Sequence, residues 1–239
     1  MFLADPSSTP FDLRFSVAGI PVRVHPLFWL MTIVLGWNIT QSRVLSENGM
    51  VELALWVAAC FLSILLHELG HVWMGNLFGA RSHIVLHGMG GLAVGAGNCP
   101  HHWQRILVSA AGPVIQLLLW GGLVLLIRYL FGPGEMTPIR FLIGLLLMIN
   151  LYWPILNLLP ILPLDGGQIL RDLAMWISPR KGLLFALYVS FLVSAALAIN
   201  ALAGINQKAF IPYAPVGQYT LILFGMFAVG SWQMIQAER

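Results

Sequence analysis

Apolar residues run almost unbroken through long stretches of this chain, and polar residues collect in short breaks between them. Runs near the twenty or so residues that cross hydrocarbon occur at Pro26 to Thr40, Val51 to Phe78, Ile106 to Phe131, Phe141 to about Ile169, Leu183 to Leu202 and Tyr219 to Met234. The first is the shortest, and the fourth is interrupted by Pro154, Pro160 and Pro163. This pattern predicts an all-α polytopic membrane protein with about six transmembrane helices, the fourth of them broken. No run copies another and no polar linker separates folded parts, so the expectation is one membrane-embedded domain over residues 1–239. Within it, residues 1–25 form an N-terminal cytoplasmic segment and 26–236 the transmembrane core. The N-terminus lacks a basic region leading into a short apolar one, so the first span is expected to be retained as an anchor.

One break is unusual. Ile84 to Asn98, IVLHGMGGLAVGAGN, carries five glycines among apolar residues, which suits neither a stable helix nor a solvated loop. Irregular backbone of that polarity is tolerated near a bilayer when it packs on protein or lines a cavity. It therefore reads as a partly buried loop or β-hairpin after the second span.

Composition strengthens the membrane reading. Of 239 residues, 59% are hydrophobic and 9% charged, with a mean hydropathy of +0.84, where a soluble domain carries about a quarter charged residues. A net charge of +3 from 12 basic and 9 acidic residues, with no basic cluster, excludes a nucleic-acid surface. Six spans put both termini on one side, and the basic residues choose it: eight Lys and Arg fall on the terminal side and four on the other. Both termini are thus expected in the cytoplasm, in a bacterial or archaeal plasma membrane. Cys60 and Cys99 make neither a disulfide framework nor a metal pair.

The second span holds the chemistry. His67, Glu68 and His71 spell H-E-x-x-H, and helical spacing of four places both imidazoles on one face, one turn apart, where they can share zinc. Zinc would bring the pKa of its water toward roughly 7, and Glu68 would take the proton as the water attacks a carbonyl. The plainer account, polar residues bonded across helices, struggles with a carboxylate flanked by imidazoles in a span of Leu, Ile, Ala, Phe and Trp, where unmatched polar groups are expensive. Catalytic zinc needs a third protein ligand. Asp165 stands out, closing the run NLLPILPLD and followed by two glycines; the prolines rule out a plain helix and an unwound span commonly borders a functional cavity. His67 lies sixteen residues beyond Val51, or roughly 24 Å along a helix, toward the cytoplasmic side. Asp165, late in a span entering from the same outer side, reaches a similar depth.

These residues resemble the site-2 proteases, intramembrane zinc metalloproteases with H-E-x-x-H on one transmembrane helix and an N-x-x-P-x-x-x-L-D-G type run on a later one. Here the two read HELGH, His67 to His71, and NLLPILPLDGG, Asn157 to Gly167. The resemblance implies His67, His71 and Asp165 as zinc ligands, Glu68 as general base, and a membrane-protein substrate cut in or near its own transmembrane segment. It extends to IPVRVHPLFW, Ile20 to Trp29, to GMGGLA, Gly88 to Ala93, and to SAAGPVIQ, Ser109 to Gln116. In the family the glycine-rich loop is thought to be an extended hairpin that pairs with substrate backbone, which fits the need to unwind a helix before its peptide bonds can be cut. Gly90 and Gly91 would permit that close approach, and Asn157 could donate a hydrogen bond to a substrate carbonyl. The chain departs from the family at Gln116, where many members have Asn, so no role is carried over to it. With no room for a PDZ domain between spans and no C-terminal CBS pair, it resembles the minimal branch that includes the sporulation-factor processing proteases.

The expected partners are a transmembrane protein substrate and lipid, with oligomeric state open. A membrane cation or proton transporter using His67, His71 and Asp165, or an inactive helix-binding adaptor, are the other readings, and the intact Glu68 argues against the adaptor. His25 is expected to be an ordinary interface residue, and His83, His87, His101 and His102 solvated loop histidines. Pro113 is expected to kink or tighten the third span.

Overall fold

A computed structural model describes residues 7–130, 135–205, 207–211 and 217–238. Phe131, the predicted end of the third span, lies outside the described residues, as do the first six residues of the N-terminal segment and Arg239. The chain forms two compact units, one holding Asp5–Pro100 and Ala110–Leu156, the other His101–Ser109 and the chain from Asn157 onward.

The first unit opens with strands that the apolar-run pattern did not predict: β1 (Leu13–Val17) and β2 (Ile20–Val24). They are joined by a two-residue turn, Ala18 and Gly19, both at positive φ, the conformation that matches hairpin twist. Helix α1 (Pro26–Gly36) follows, with Pro26 in its first turn and the His25 Nδ1 accepting the Leu27 amide. A 3-10 turn, Trp37–Gln41, extends it. Helix α2 (Met50–Leu77) is the longest apolar element of this part, and its start is held by buried Glu52, which accepts hydrogen bonds from the Leu45 and Ser46 amides and the Ser46 hydroxyl. The Trp29 ring stacks on Phe61, and the Trp56 indole donates to the Thr32 carbonyl, joining α1 to α2.

The glycine-rich stretch is a hairpin, as its composition predicts: β3 (His83–His87) and β4 (Gly90–Val94) pair antiparallel. β3 also pairs in parallel with β2, giving a four-stranded sheet in the order β1-β2-β3-β4. Because β2 leads into α1 and α2 leads back to β3, the two helices form a hairpin whose outer ends both return to the sheet. His87 is buried at the end of β3 rather than solvated. Helix α3 (His102–Leu130) runs without a break through Pro113, and α4 (Pro138–Asn157) through Pro154. Gly70 of α2 lies so close to α3 that a Cβ there would sit 2.8 Å from the Ala111 carbonyl oxygen, the small-residue approach by which membrane helices pack.

In the second unit the predicted break in the fourth span lies at residues 158–164, between the end of α4 and α5 (Asp165–Ile177). Pro160 and Pro163 make it, whereas Pro154 is accommodated inside α4. Helices α6 (Gly182–Ile205) and α7 (Gln218–Ala237) pack along each other. Ser190 of α6 bonds Ser231 of α7 at 2.7 Å and accepts the Leu162 amide at 2.9 Å, so the α6–α7 pair holds the broken segment through buried hydroxyls. Leu162, Leu187 and Ile235 form the apolar core beside it.

Among the described residues, five helices are long and apolar enough to cross a membrane: α2, α3, α4, α6 and α7. The first predicted span is present as the 11-residue α1 and its 3-10 extension, and the C-terminal part of the fourth as the separate α5. The protein is a multi-pass membrane protein with a predominantly helical fold and a small sheet.

Candidate metal centre

Helical geometry in α2 does what the spacing of His67 and His71 requires. The two side chains are buried, 3% and 6% exposed, and their Nε2 atoms face each other at 3.1 Å with the rings edge to face. Two nitrogens bound to zinc at 2.0–2.1 Å in a tetrahedral arrangement stand about 3.3 Å apart. Two imidazoles converging through equivalent atoms are therefore spaced for one shared ion. Glu68, one position round the helix, is 5% exposed.

The space between the imidazoles is bounded by α3. Gly112 faces them, and a Cβ there would collide with His71 Nε2 and come within 2.9 Å of His67 Nε2. A hydrogen in place of a side chain keeps this volume open, which is the observation by which the residues present fit a metal. Pro113 follows, and its fixed φ suits the helix while Gly112 makes the approach.

His67 is held from behind. Its Nδ1 is 2.8 Å from Oε1 of Gln116 on α3, and Gln116 Nε2 donates to the Ser63 carbonyl one turn earlier on α2 at 3.2 Å. Gln116 is fully buried. The motif reading gave no role to this residue and passed over Gly112. The available signal was the cost of a lone amide in an apolar span.

Asp165 is the first residue of α5, where the helix dipole favours a carboxylate. The two glycines after it are explained by packing: a Cβ on Gly166 would strike the Leu158 and Leu159 carbonyls, and one on Gly167 would strike Ile161 and Leu162 backbone. The LDGG run thus lets residues 158–162 fold back against the first turn of α5. His67, His71 and Asp165, all buried, form a group that could hold a metal ion, each offering one ligand atom and these atoms lying within 4.8 Å of one another. It is the one such group of three or more His, Cys, Asp or Glu side chains among the described residues.

Gly91 of β4 lies directly against Glu68, since a Cβ on it would sit 2.5 Å from Glu68 Oε1 and 2.6 Å from Cδ. Gly90 has a φ of +123° and faces Trp153, whose ring a Cβ would meet at 3.4 Å. β4 ends the sheet order, so its outer edge carries no further strand among the described residues. Asn157 is buried as the last residue of α4; the break after it means that Asn157 and Asp165 do not share one helix. His102, expected as a solvated loop histidine, is instead the first residue of α3 and bonds Asp172 of α5 at 3.0 Å together with Arg105 at 2.7 Å. Burial would raise the Asp172 pKa, but hydrogen bonds from Arg171, Arg105 and His102 outweigh it and hold the carboxyl below its ordinary range.

Comparison with known proteins agrees with this chemistry. Residues 134–200 match the family model for Peptidase family M50. A putative zinc metalloprotease of Synechocystis sp. is 34% identical over 221 residues, 89% of this chain and 56% of the relative. A zinc metalloprotease of Methanocaldococcus jannaschii is 29% identical over 77% of this chain and 51% of its own length. The chain spans about half the length of these curated relatives. The solved structure of a site-2 protease from M. jannaschii matches with a TM-score of 0.58 at 24% identity, covering 94% of this chain and 95% of that one, a likeness of fold. The resemblance carried by HELGH and NLLPILPLDGG is borne out, and the metal these relatives' names point to is zinc.

Proposed function

We propose that this chain, a member of the site-2 protease family by its motifs and by its match to Peptidase family M50, is a zinc metalloendopeptidase that hydrolyses a peptide bond in or near the transmembrane segment of a membrane-protein substrate. The observation that carries the reading is the convergence of His67 and His71 Nε2 at 3.1 Å, with Glu68 beside them on a span otherwise apolar. A transport site would not call for the strand edge laid against Glu68.

His67, His71 and Asp165 would hold the ion. When bound, zinc supplies Lewis-acid polarisation of the scissile carbonyl and an acidified water. Glu68 takes the proton from the attacking water and delivers it to the leaving amide nitrogen. The open edge of β4 receives the substrate as an added extended strand, so that an unwound segment lies across Glu68 with its backbone paired. Gly91 keeps that strand near enough for the scissile bond to meet the carboxylate, Gly90 supports the strand's entry, and Asn157 donates to a substrate carbonyl. Burial of His67, Glu68, His71, Asn157 and Asp165 restricts the access of bulk water to the reacting groups.

On this reading residues 26–236 form one membrane core, with residues 1–25 cytoplasmic. Helix α1 and its 3-10 extension together reach about 26 Å at 1.5 and 2.0 Å per residue, enough for a sixth crossing of a slightly thinned bilayer. Arg14, Arg23 and Arg81 flank the sheet at the end to which α1 and α2 both return, which favours that face as cytoplasmic in a bacterial or archaeal plasma membrane.

The test is Glu68→Gln in purified protein with single-span substrates in liposomes, at equal measured zinc. The expected result is zinc retained and cleavage reduced by about 10²–10⁴-fold. A variant that keeps its zinc and cuts at the wild-type rate would remove Glu68 from the chemistry and with it the proposal.

A further inference from the structure

We infer that Gln116 is a positioning residue of the metal centre, setting which nitrogen of His67 faces the ion; this rests on the metalloprotease reading above. The inference follows from the direction of each hydrogen bond. The Ser63 carbonyl can only accept, so the Gln116 group facing it at 3.2 Å is the NH₂ end. The amide orientation is then determined, and the group facing His67 Nδ1 at 2.8 Å is the carbonyl oxygen Oε1. An oxygen acceptor requires Nδ1 to carry the proton. In neutral imidazole this leaves the lone pair on Nε2, the atom that faces His71 Nε2 at 3.1 Å. One buried amide thus reads a backbone carbonyl of α2 on one side and selects the tautomer of a ligand one helical turn along on the other.

The arrangement is anchored further out. Asn150 of α4 donates through Nδ2 to Ser63 Oγ at 2.9 Å and to the Leu146 carbonyl at 2.8 Å. Ser63, Gln116 and Asn150 are all fully buried, so each bond is made where losing it is costly. Metal-bound histidines characteristically give their second N–H to such a partner, and removing the partner costs about 10–100-fold in metal affinity. Here the partner is a neutral amide, which orients the ring without adding a charge to an apolar span.

The experiment measures zinc transfer to a chelator from detergent-purified protein for wild type, Gln116→Leu, Asn150→Leu and His67→Ala. Gln116→Leu is expected to release zinc about 10–100-fold more readily, while Asn150→Leu, equally buried but one bond further away, stays within about threefold. Equal loosening in both variants would show general destabilisation and overturn the inference, as would unchanged zinc retention in Gln116→Leu. Should Gln116→Leu fail to fold, ¹⁵N-histidine spectra of zinc-loaded wild type decide: protonated Nδ1 and coordinated Nε2 at His67 are expected, and coordination through Nδ1 overturns it. His67→Ala separates the two levels. If it keeps wild-type zinc, the metal centre itself is wrongly read; if it loses zinc while Gln116→Leu does not, only the role of Gln116 falls.

Discussion

Gly112→Ala tests the metal centre by adding one methyl group and removing nothing. The new Cβ would lie 2.9 Å from His67 Nε2 and nearer still to His71 Nε2, where carbon and nitrogen in contact need about 3.5 Å. The methyl cannot swing away, because a Cβ has no rotamer, so either an imidazole turns or α3 backs off. The required displacement is at least about 0.6 Å, roughly three times the tolerance of about 0.2 Å on a zinc–ligand distance. Structural zinc sites bind with about 10–16 kcal/mol over four ligands, or about 3 kcal/mol each, so losing one imidazole should weaken zinc about 100-fold. Zinc per protein after dialysis against a graded chelator reads this directly, with a thermal melt to establish folding. Gly121→Ala, on the same helix with nothing within 4 Å of its Cβ, serves as the control and should keep its zinc. A folded Gly112→Ala protein that holds zinc as wild type does would refute the assignment of the space between His67 and His71 to a metal.

The remaining expectations separate strand, base and fold. Gly91→Ala puts a Cβ onto Glu68, whose atoms are the three nearest to it, so zinc content should be unchanged while cleavage falls about 100-fold; parallel loss of zinc would contradict the division of roles. The N-terminal hairpin should be acid-labile. Hydrogen bonds from Thr9, with Arg23 adding charge and a hydrogen bond, hold the Asp12 carboxyl at about 2 against its ordinary 3.8, burial pulling the other way. A folded-state pKa below the unfolded one means stability that is complete above 3.8 and lost as pH falls toward 2. Protection of the amides of residues 13–24, taken relative to the intrinsic exchange rate at each pH, should fall across that window, and equal protection at pH 5 and pH 2 would show that the Asp12–Arg23 contact does not support the hairpin.

Much of this protein was legible in one dimension because a bilayer leaves few choices. Backbone polar groups in hydrocarbon must be satisfied within the segment, so apolar length alone marked α2, α3, α4, α6 and α7, and proline and glycine marked the break that presents Asp165. His67, His71 and Asp165, the group that could hold a metal ion, stood out for the same reason, as did Glu68, since groups so expensive in an apolar span are seldom there without a task. The β1–β2 hairpin went unseen because its strands are only five residues each, too short for a search by apolar length; the alternation of LRFSV and IPVRV about Ala18 and Gly19 was its signal. Local preference did not reveal that α1 gives way to a 3-10 turn after Gly36, whose missing Cβ leaves room for the Trp56 ring, or that α4 runs through Pro154. Gln116, Gly112 and Gly91 needed the tertiary structure altogether. Their roles are defined by what lies across from them: a carbonyl and an imidazole for Gln116, two imidazoles for Gly112, a carboxylate for Gly91. Spacing along a helix determines which side chains share a face, but only the approach of a second element determines what that face can hold.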